Sequence, residues 1–232
     1  MKYSLSTAGL LAALTTGFTV QAAPLERQVA DFEDGQTPSF LTTPDASIGS
    51  WTVTNTEAQS GTYSLVSAAI KTAEAVTIEW SGDVAKGWVF FDANVDTASG
   101  NLLTFSHGSS SDTLSAQDWT RHSYAIEAGV QTLGWTYSKL ENQGADADKV
   151  WIDNLVFIAE GHDGDGDGMD DYSEYLYGLD FTDPSDASKD ADDDGLTNLE
   201  EITLGTSPAN ADTDGDGYKD GVEVGFGLNP LD

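Results

Sequence analysis

Three stretches in the last third of the chain share one spacing of oxygen-bearing side chains. Asp163, Asp165 and Asp167 are followed by Gly168, Met169, Asp171 and Glu174. Asp190, Asp192 and Asp194 are followed by Gly195, Leu196, Asn198 and Glu201, and Asp212, Asp214 and Asp216 by Gly217, Tyr218, Asp220 and Glu223. Side-chain oxygens fall at loop positions 1, 3, 5, 9 and 12, with a glycine at 6 and the backbone carbonyl of Met169, Leu196 or Tyr218 at 7. Calcium takes six to eight oxygens at about 2.3–2.6 Å, so a chain that wraps it must turn sharply. Glycine at position 6 permits that turn without Cβ strain. A glutamate at position 12 can give both oxygens, which the smaller and strictly octahedral magnesium would use poorly. Three copies at identical offsets argue against a solvated acidic linker. All eighteen residues at positions 1, 3, 5, 7, 9 and 12 are therefore expected calcium ligands.

Charge agrees with this assignment. The 232 residues carry 40 acids and 9 bases, a net charge of −31, which excludes ordinary nucleic-acid binding and adsorption to anionic lipid. From Asp163 onward there are 21 acids against only Lys189 and Lys219, so this region differs physically from what precedes it. No cysteine is present, so an exported form must gain rigidity from a packed core, from metal, or from both.

The loops do not read as paired EF-hands. Position 8, apolar where two such loops pair, is Asp170, Thr197 and Lys219, and Gly161-His162 cannot form a preceding helix. Dockerins also keep position 8 apolar, which argues against cohesin binding. Each loop is instead followed by a short apolar segment and a stop: Gly178 to Asp183-Pro184, Gly205-Thr-Ser-Pro208 and Gly227-Leu-Asn-Pro230. This punctuation over residues 163–232 resembles bacterial thrombospondin type 3 repeats. The resemblance implies an elongated, calcium-threaded spacer with short helical turns and little core of its own. Tyr172, Leu176, Leu196, Leu199, Ile202, Tyr218 and Val222 would form its stacking surface.

Residues 23–160 are expected to form a separate β domain. Candidate strands are Gln28–Glu33, Trp51–Asn55, Tyr63–Ser67, Ala75–Trp80, Gly87–Phe91, Leu102–Ser106, Thr120–Ile126, Gln131–Tyr137 and Lys149–Phe157. Val76, Ile78 and Trp80 alternate with Thr77 and Glu79, the period of a half-buried strand. Many short strands separated by turn signals predict an antiparallel β-sandwich of jelly-roll type. Phe32-Glu33-Asp34-Gly35, Ser60-Gly61-Thr62-Tyr63-Ser64-Leu65, the run Ala128–Lys139 and Trp151-Ile152-Asp153-Asn154 resemble the MAM-like or choice-of-anchor jelly rolls. In relatives of that kind acids near the first strand and one on the last converge on calcium; the matching residues are Asp31 or Glu33 with Asp153. The other reading of Asp153-Asn154 is a turn that ends the strand.

No catalytic motif is visible. His107 and His122 lack a nucleophile and an orienting partner, and thiol catalysis is excluded. Trp51, Trp80, Trp88, Trp119, Trp135 and Trp151 could fill the core or present rings to a sugar. Trp80 and Trp88 read as core and Trp119, after Gln117-Asp118, as the better exposed ring. Lys2, the uncharged apolar run Ala8–Val20 and Val20-Gln21-Ala22 read as a signal peptide of residues 1–22, with Ala23 as the mature N-terminus. The run is too short to span a bilayer. The expected protein is thus secreted or displayed at the cell surface, with the periplasm as a further location. It is non-catalytic, with an adhesion or interaction module on a calcium-stabilised stalk whose ligand is protein or glycan. A carbohydrate-binding module of a polysaccharide-degrading system is the alternative, and a small secreted hydrolase a third reading.

Overall fold

A computed structural model describes residues 23–71, 73–96, 101–114, 118–139 and 149–232; the expected signal peptide, residues 1–22, lies outside them. Eleven strands lie in two antiparallel sheets. They are β1 (Arg27–Ala30), β2 (Leu41–Thr42), β3 (Thr52–Thr54), β4 (Ser64–Val66), β5 (Ala75–Val84), β6 (Gly87–Asp96), β7 (Asn101–His107), β8 (Ser110–Leu114), β9 (Thr120–Ile126), β10 (Gly129–Lys139) and β11 (Lys149–Ala159). One sheet runs β3-β4-β11-β6-β9 with β1 also on β11; the other runs β2-β5-β10-β7-β8. From β4 to β11 every connection except β7–β8 crosses between the sheets, which gives the jelly-roll orders β4-β11-β6-β9 and β5-β10-β7-β8.

The alternation expected in β5 is present. Val76, Ile78 and Trp80 are buried while Thr77 and Glu79 face outward. Inward rows from both sheets, among them Phe91, Phe105, Leu133, Trp135, Tyr137 and Ile152, make one core. The sequence reading missed β2 and β8, and several strands run longer than expected, notably β5, β6 and β10. In β11 the register shifts between Asp153 and Val156, and Asn154 sits there at φ 50°. This bulge divides β11, so that β4 pairs with Trp151 and Ile152 and β1 with Leu155–Ile158.

The outer faces of the two sheets differ. On the β5–β10 sheet the outward residues are mostly hydroxylated: Thr77 Oγ1 lies 2.8 Å from Thr136 Oγ1, and Ser81 Oγ lies 2.9 Å from Thr132 Oγ1. On the β6–β11 sheet Phe90, Val156 and Ile158 form a second apolar cluster. The tail covers it. Three short helices follow the acidic loops, α1 (Asp171–Tyr177), α2 (Asn198–Leu204) and α3 (Asp220–Phe226), with one 3-10 turn at Asp186–Ser188. Each α-helix ends on a left-handed glycine, Gly178, Gly205 or Gly227, matching the stops read from sequence.

Helix α1 packs on the sandwich. Tyr172 meets Trp88 and Phe90 at ring separations of 5.3 and 5.8 Å, and Tyr175 meets Phe90 at 4.7 Å. Two arginines of the sandwich close over the seam. Arg27 of β1 bonds the Asp171 carboxylate at 3.0 Å and the Phe181 carbonyl at 3.1 Å, and Arg121 of β9 lies 5.0 Å from the Tyr175 ring centre. The expected inter-repeat stacking surface is corrected accordingly. Tyr172 faces the sandwich, and Leu176 and Tyr218 are 53% and 62% exposed. Leu196 is buried, and Leu199 lies beside Gly168 of the first loop and so does join two repeats.

Candidate metal centres and the face of the sandwich

The three loops fold alike because their side chains bind their own backbone. The position-1 carboxylates each accept two amides: Asp163 from Gly166 and Gly168, Asp190 from Asp194 and Gly195, Asp212 from Gly215 and Gly217. The position-5 carboxylates accept the amides of Met169, Leu196 and Tyr218 at 2.7–2.8 Å. Gly168, Gly195 and Gly217 stand at φ 98°, 106° and 100°, a conformation that a side chain would strain. One loop departs from the others: position 4 is Gly166 and Gly215 at positive φ, but Asp193 at φ 60° in the middle loop.

The carboxylates at positions 1, 3 and 5 draw together in every loop, with one oxygen each of Asp163, Asp165 and Asp167 within 4.8 Å of one another. The same holds for Asp190, Asp192 and Asp194, and for Asp212, Asp214 and Asp216. The position-12 glutamates come from the first turns of α1, α2 and α3 and are 0%, 0% and 3% exposed. Both side-chain oxygens of Glu174 and of Glu201, and Oε2 of Glu223, are buried without a hydrogen-bond partner. So are both oxygens of Asp165, Asp167 Oδ2 and Asp192 Oδ2. Burying bare carboxylate oxygens beside other acids is costly unless a cation sits among them. An all-oxygen, all-anionic donor set of this kind fits a hard divalent ion.

Electrostatics point the same way. Burial pushes the carboxyls of Glu174 and Glu201 up to about 8, with Asp167 and Asp165 adding to the first and Asp192 and Asp194 to the second. Burial also raises Glu223. These values lie above the ordinary 4.5, so without metal the folded loops favour protonated glutamates. The resulting stability is fully present below about pH 4.5 and is lost as pH rises through about 8. Metal-free protein should therefore gain helical signal in far-UV circular dichroism when acidified from pH 8 to 4. A signal that is flat over that range would contradict the buried geometry.

Position 9 also ties each loop to its helix. Asp171 accepts the Gly164 amide at 2.6 Å and Asn198 accepts the Ala191 amide at 3.2 Å, so both tie the loop's second residue to the helix. Asp220 holds Thr213 in the same way, but its carboxylate also lies within 4.8 Å of Asp194 and Glu201 of the preceding loop. One acid was missed by sequence reasoning. Asp186, from the 3-10 turn, joins Asp167 and Glu174. No motif marks it, because its place depends on how the connector between loops one and two folds.

Among the described residues no group of three metal-ligating side chains includes Asp31, Glu33 or Asp153. Asp31 accepts the Glu33 amide. Glu33 accepts the amides of Thr62 and Tyr63, and Asp153 those of Gln59, Ser60 and Asn154. Through these bonds Glu33 and Asp153 pin the 59–63 turn. A Cβ on Gly61 would run into the Glu33 carboxylate.

Trp51, Trp80 and Trp135 are buried in the core. Trp88, expected in the core, points outward under α1, because its neighbours Val89 and Phe91 take the inward positions of β6. On the outer face of the same sheet Trp151 pairs across strands with Asn94. Trp119, just before the Thr120–Ala93 pair, extends that row to β9 and donates to Glu57 at 3.2 Å. Asn94 Oδ1 and Trp151 Nε1 are buried without partners. His107 contacts Asp112 and lies across strands from Ser110, and His122 packs on Phe91.

No family model matches the chain, and no curated protein matches it. Among solved structures it is similar to a family 61 carbohydrate-binding module, TmCBM61, in complex with beta-1,4-galactotriose. The TM-score is 0.39 at 15% identity, covering 56% of this chain and 94% of that one. The xylan-binding CBM22-1 domain of Paenibacillus barcinonensis Xyn10C scores 0.39 at 16% identity, covering 57% and 94%. The secreted serine protease VesC from Vibrio cholerae scores 0.39 at 9% identity, covering 48% of this chain and 24% of the protease. Likenesses this distant carry no functional argument.

Proposed function

We propose that this is an exported calcium-binding protein, in which calcium holds an acidic tail folded and the sandwich serves as a non-catalytic interaction module. The observation that carries the reading is the convergence of buried, unpartnered carboxylate oxygens, chiefly those of Glu174 and Glu201, on the Asp clusters of their loops. Asp163, Asp165, Asp167 and Glu174 would hold the first ion, Asp190, Asp192, Asp194 and Glu201 the second, and Asp212, Asp214, Asp216 and Glu223 the third. The carbonyls of Met169, Leu196 and Tyr218 supply a further oxygen to each. Sites of this kind in extracellular modules work at about 10⁻⁴–10⁻³ M calcium, which suits a chain that carries an export leader. Among the described residues no helix is long and apolar enough to cross a membrane.

Of the ligands open to the sandwich, glycan is favoured by one observation. The row Trp119–Asn94–Trp151 sets two half-buried indoles and an amide on a single sheet face. Thermal unfolding tests the metal assignment: about 1 mM calcium should raise the tail's midpoint well beyond the same magnesium. Equal effects of the two ions, or none, would refute it. A glycan array with and without calcium, repeated with Trp119→Ala, tests the sandwich. Unchanged or absent binding would exclude the aromatic row as a sugar site.

A further inference from the structure

We infer that each of the first two calcium sites is completed by a carboxylate from the segment that follows it, so that the three sites are unequal and the third is open. The inference rests on the calcium reading above and assigns to the preceding sites Asp186, which the loop motif does not contain, and Asp220, which the motif counts toward its own loop.

The donor to the first site is Asp186. Its carboxylate lies within 4.8 Å of Asp167 and Glu174, and all three belong to different elements: loop, helix α1 and 3-10 turn. Asp186 is buried, and its two oxygens have different tasks. Oδ2 accepts the Asp180 amide at 2.8 Å, while Oδ1 is buried with no partner. The main chain at this residue is fixed from the next repeat, as Asn198 of the second loop donates to the Asp186 carbonyl at 2.9 Å. The second loop thus positions the last ligand of the first.

The donor to the second site is Asp220. It is wholly buried, and its carboxylate meets Asp194 and Glu201. Here too the following repeat grips the preceding one: the Gly221 amide donates to Asp194 Oδ2 at 2.7 Å, and Lys219 Nζ donates to the Asp193 carbonyl at 2.8 Å. A Cβ at Gly221 would stand 2.5 Å from the Asp194 carbonyl oxygen, so glycine is what lets the two loops approach. The two donors come from different parts of the repeat because position 9 of the second loop is neutral Asn198, and the longer connector before it brings in Asp186 instead.

The third loop has no such donor among the described residues. Its cluster is Asp212, Asp214 and Asp216, whose charges act on Glu223, and Asp214, Asp216 and Tyr218 are exposed. Two sites with a borrowed carboxylate should therefore bind more tightly than the third. Each borrowed ligand also makes ion binding and repeat stacking one event.

Calcium titration of the full chain by isothermal calorimetry tests this. The unmutated chain should show two tighter sites and one weaker. Asp186→Asn keeps an oxygen for the Asp180 amide but removes the anionic ligand, and should weaken one of the tighter sites by about ten-fold or more. Asp183→Asn, a charge-matched change in the same connector, should leave all three sites as they were. Three equal sites in the unmutated chain, or the same small shift in both variants, would overturn the inference while leaving the calcium reading intact. No binding by the unmutated chain would overturn both.

Discussion

Stripping calcium from this protein should expand residues 163–232 into a self-repelling segment while the sandwich stays folded. The tail carries 21 acids against two lysines over those residues, and most of its larger apolar side chains are exposed or half-buried. With the ions gone, repulsion has no counterweight of comparable size. Few of the sites exist in the unfolded chain, so the free energy of binding becomes free energy of folding, and chelation reverses it. Small-angle scattering of the full chain should show the tail compacting as calcium rises to millimolar levels. Glu201→Ala should shift that titration most strongly. It removes a wholly buried carboxylate from the middle loop, which is gripped from both sides by its neighbours. Scattering that is indifferent to calcium, or a titration unchanged in Glu201→Ala, would leave the loops as an acidic linker.

The second large effect is expected at the seam between α1 and the sandwich. A chain ending near Glu160 should still unfold cooperatively, because the main core lies wholly between the two sheets. It should do so at lower denaturant than the full chain in calcium, because Trp88, Phe90, Val156 and Ile158 lose their cover. The double substitution Tyr172→Ala with Tyr175→Ala should reproduce most of the loss, about 2–4 kcal/mol for two half-buried rings. Trp88 fluorescence should shift to the red in the same variant as its indole meets water. The first loop and its helix form one unit, so chelation of the full chain should bring its urea midpoint toward that of the truncated form. Identical midpoints for the full and truncated chains in calcium would show that the seam contributes nothing.

What the sequence revealed follows the range of the interactions. Ligands, turn glycine and helix start all fall within one short stretch in each loop, so the loops could be read from spacing alone. Strands with one dry face, such as β5, announced themselves by alternation. β8 did not, since Ser110–Thr113 are all exposed at a sheet edge and only Leu114 is buried. Trp88 was misplaced for a different reason. β6 is apolar on both faces because α1 covers the outer one, and such a run gives no sign of which side is which. Asp186 and the Arg27–Asp171 pair were illegible because each depends on distant chain; in the second, 144 residues separate the partners. Glu33 and Asp153 hold the 59–63 turn, a task set by chain that lies far from each of them in sequence.

The bond from Arg27 to Asp171 and to the Phe181 carbonyl has a mechanical consequence. Arg27 opens β1, which lies antiparallel along the last part of β11, with Arg27 opposite Ile158 and Ala30 opposite Leu155. The tail leaves the sandwich from the end of β11, at Ala159. Tension along the tail therefore reaches two strands at once, one through the covalent chain and one through the guanidinium. The load is thus shared between β1 and β11 and is not borne by β11 alone.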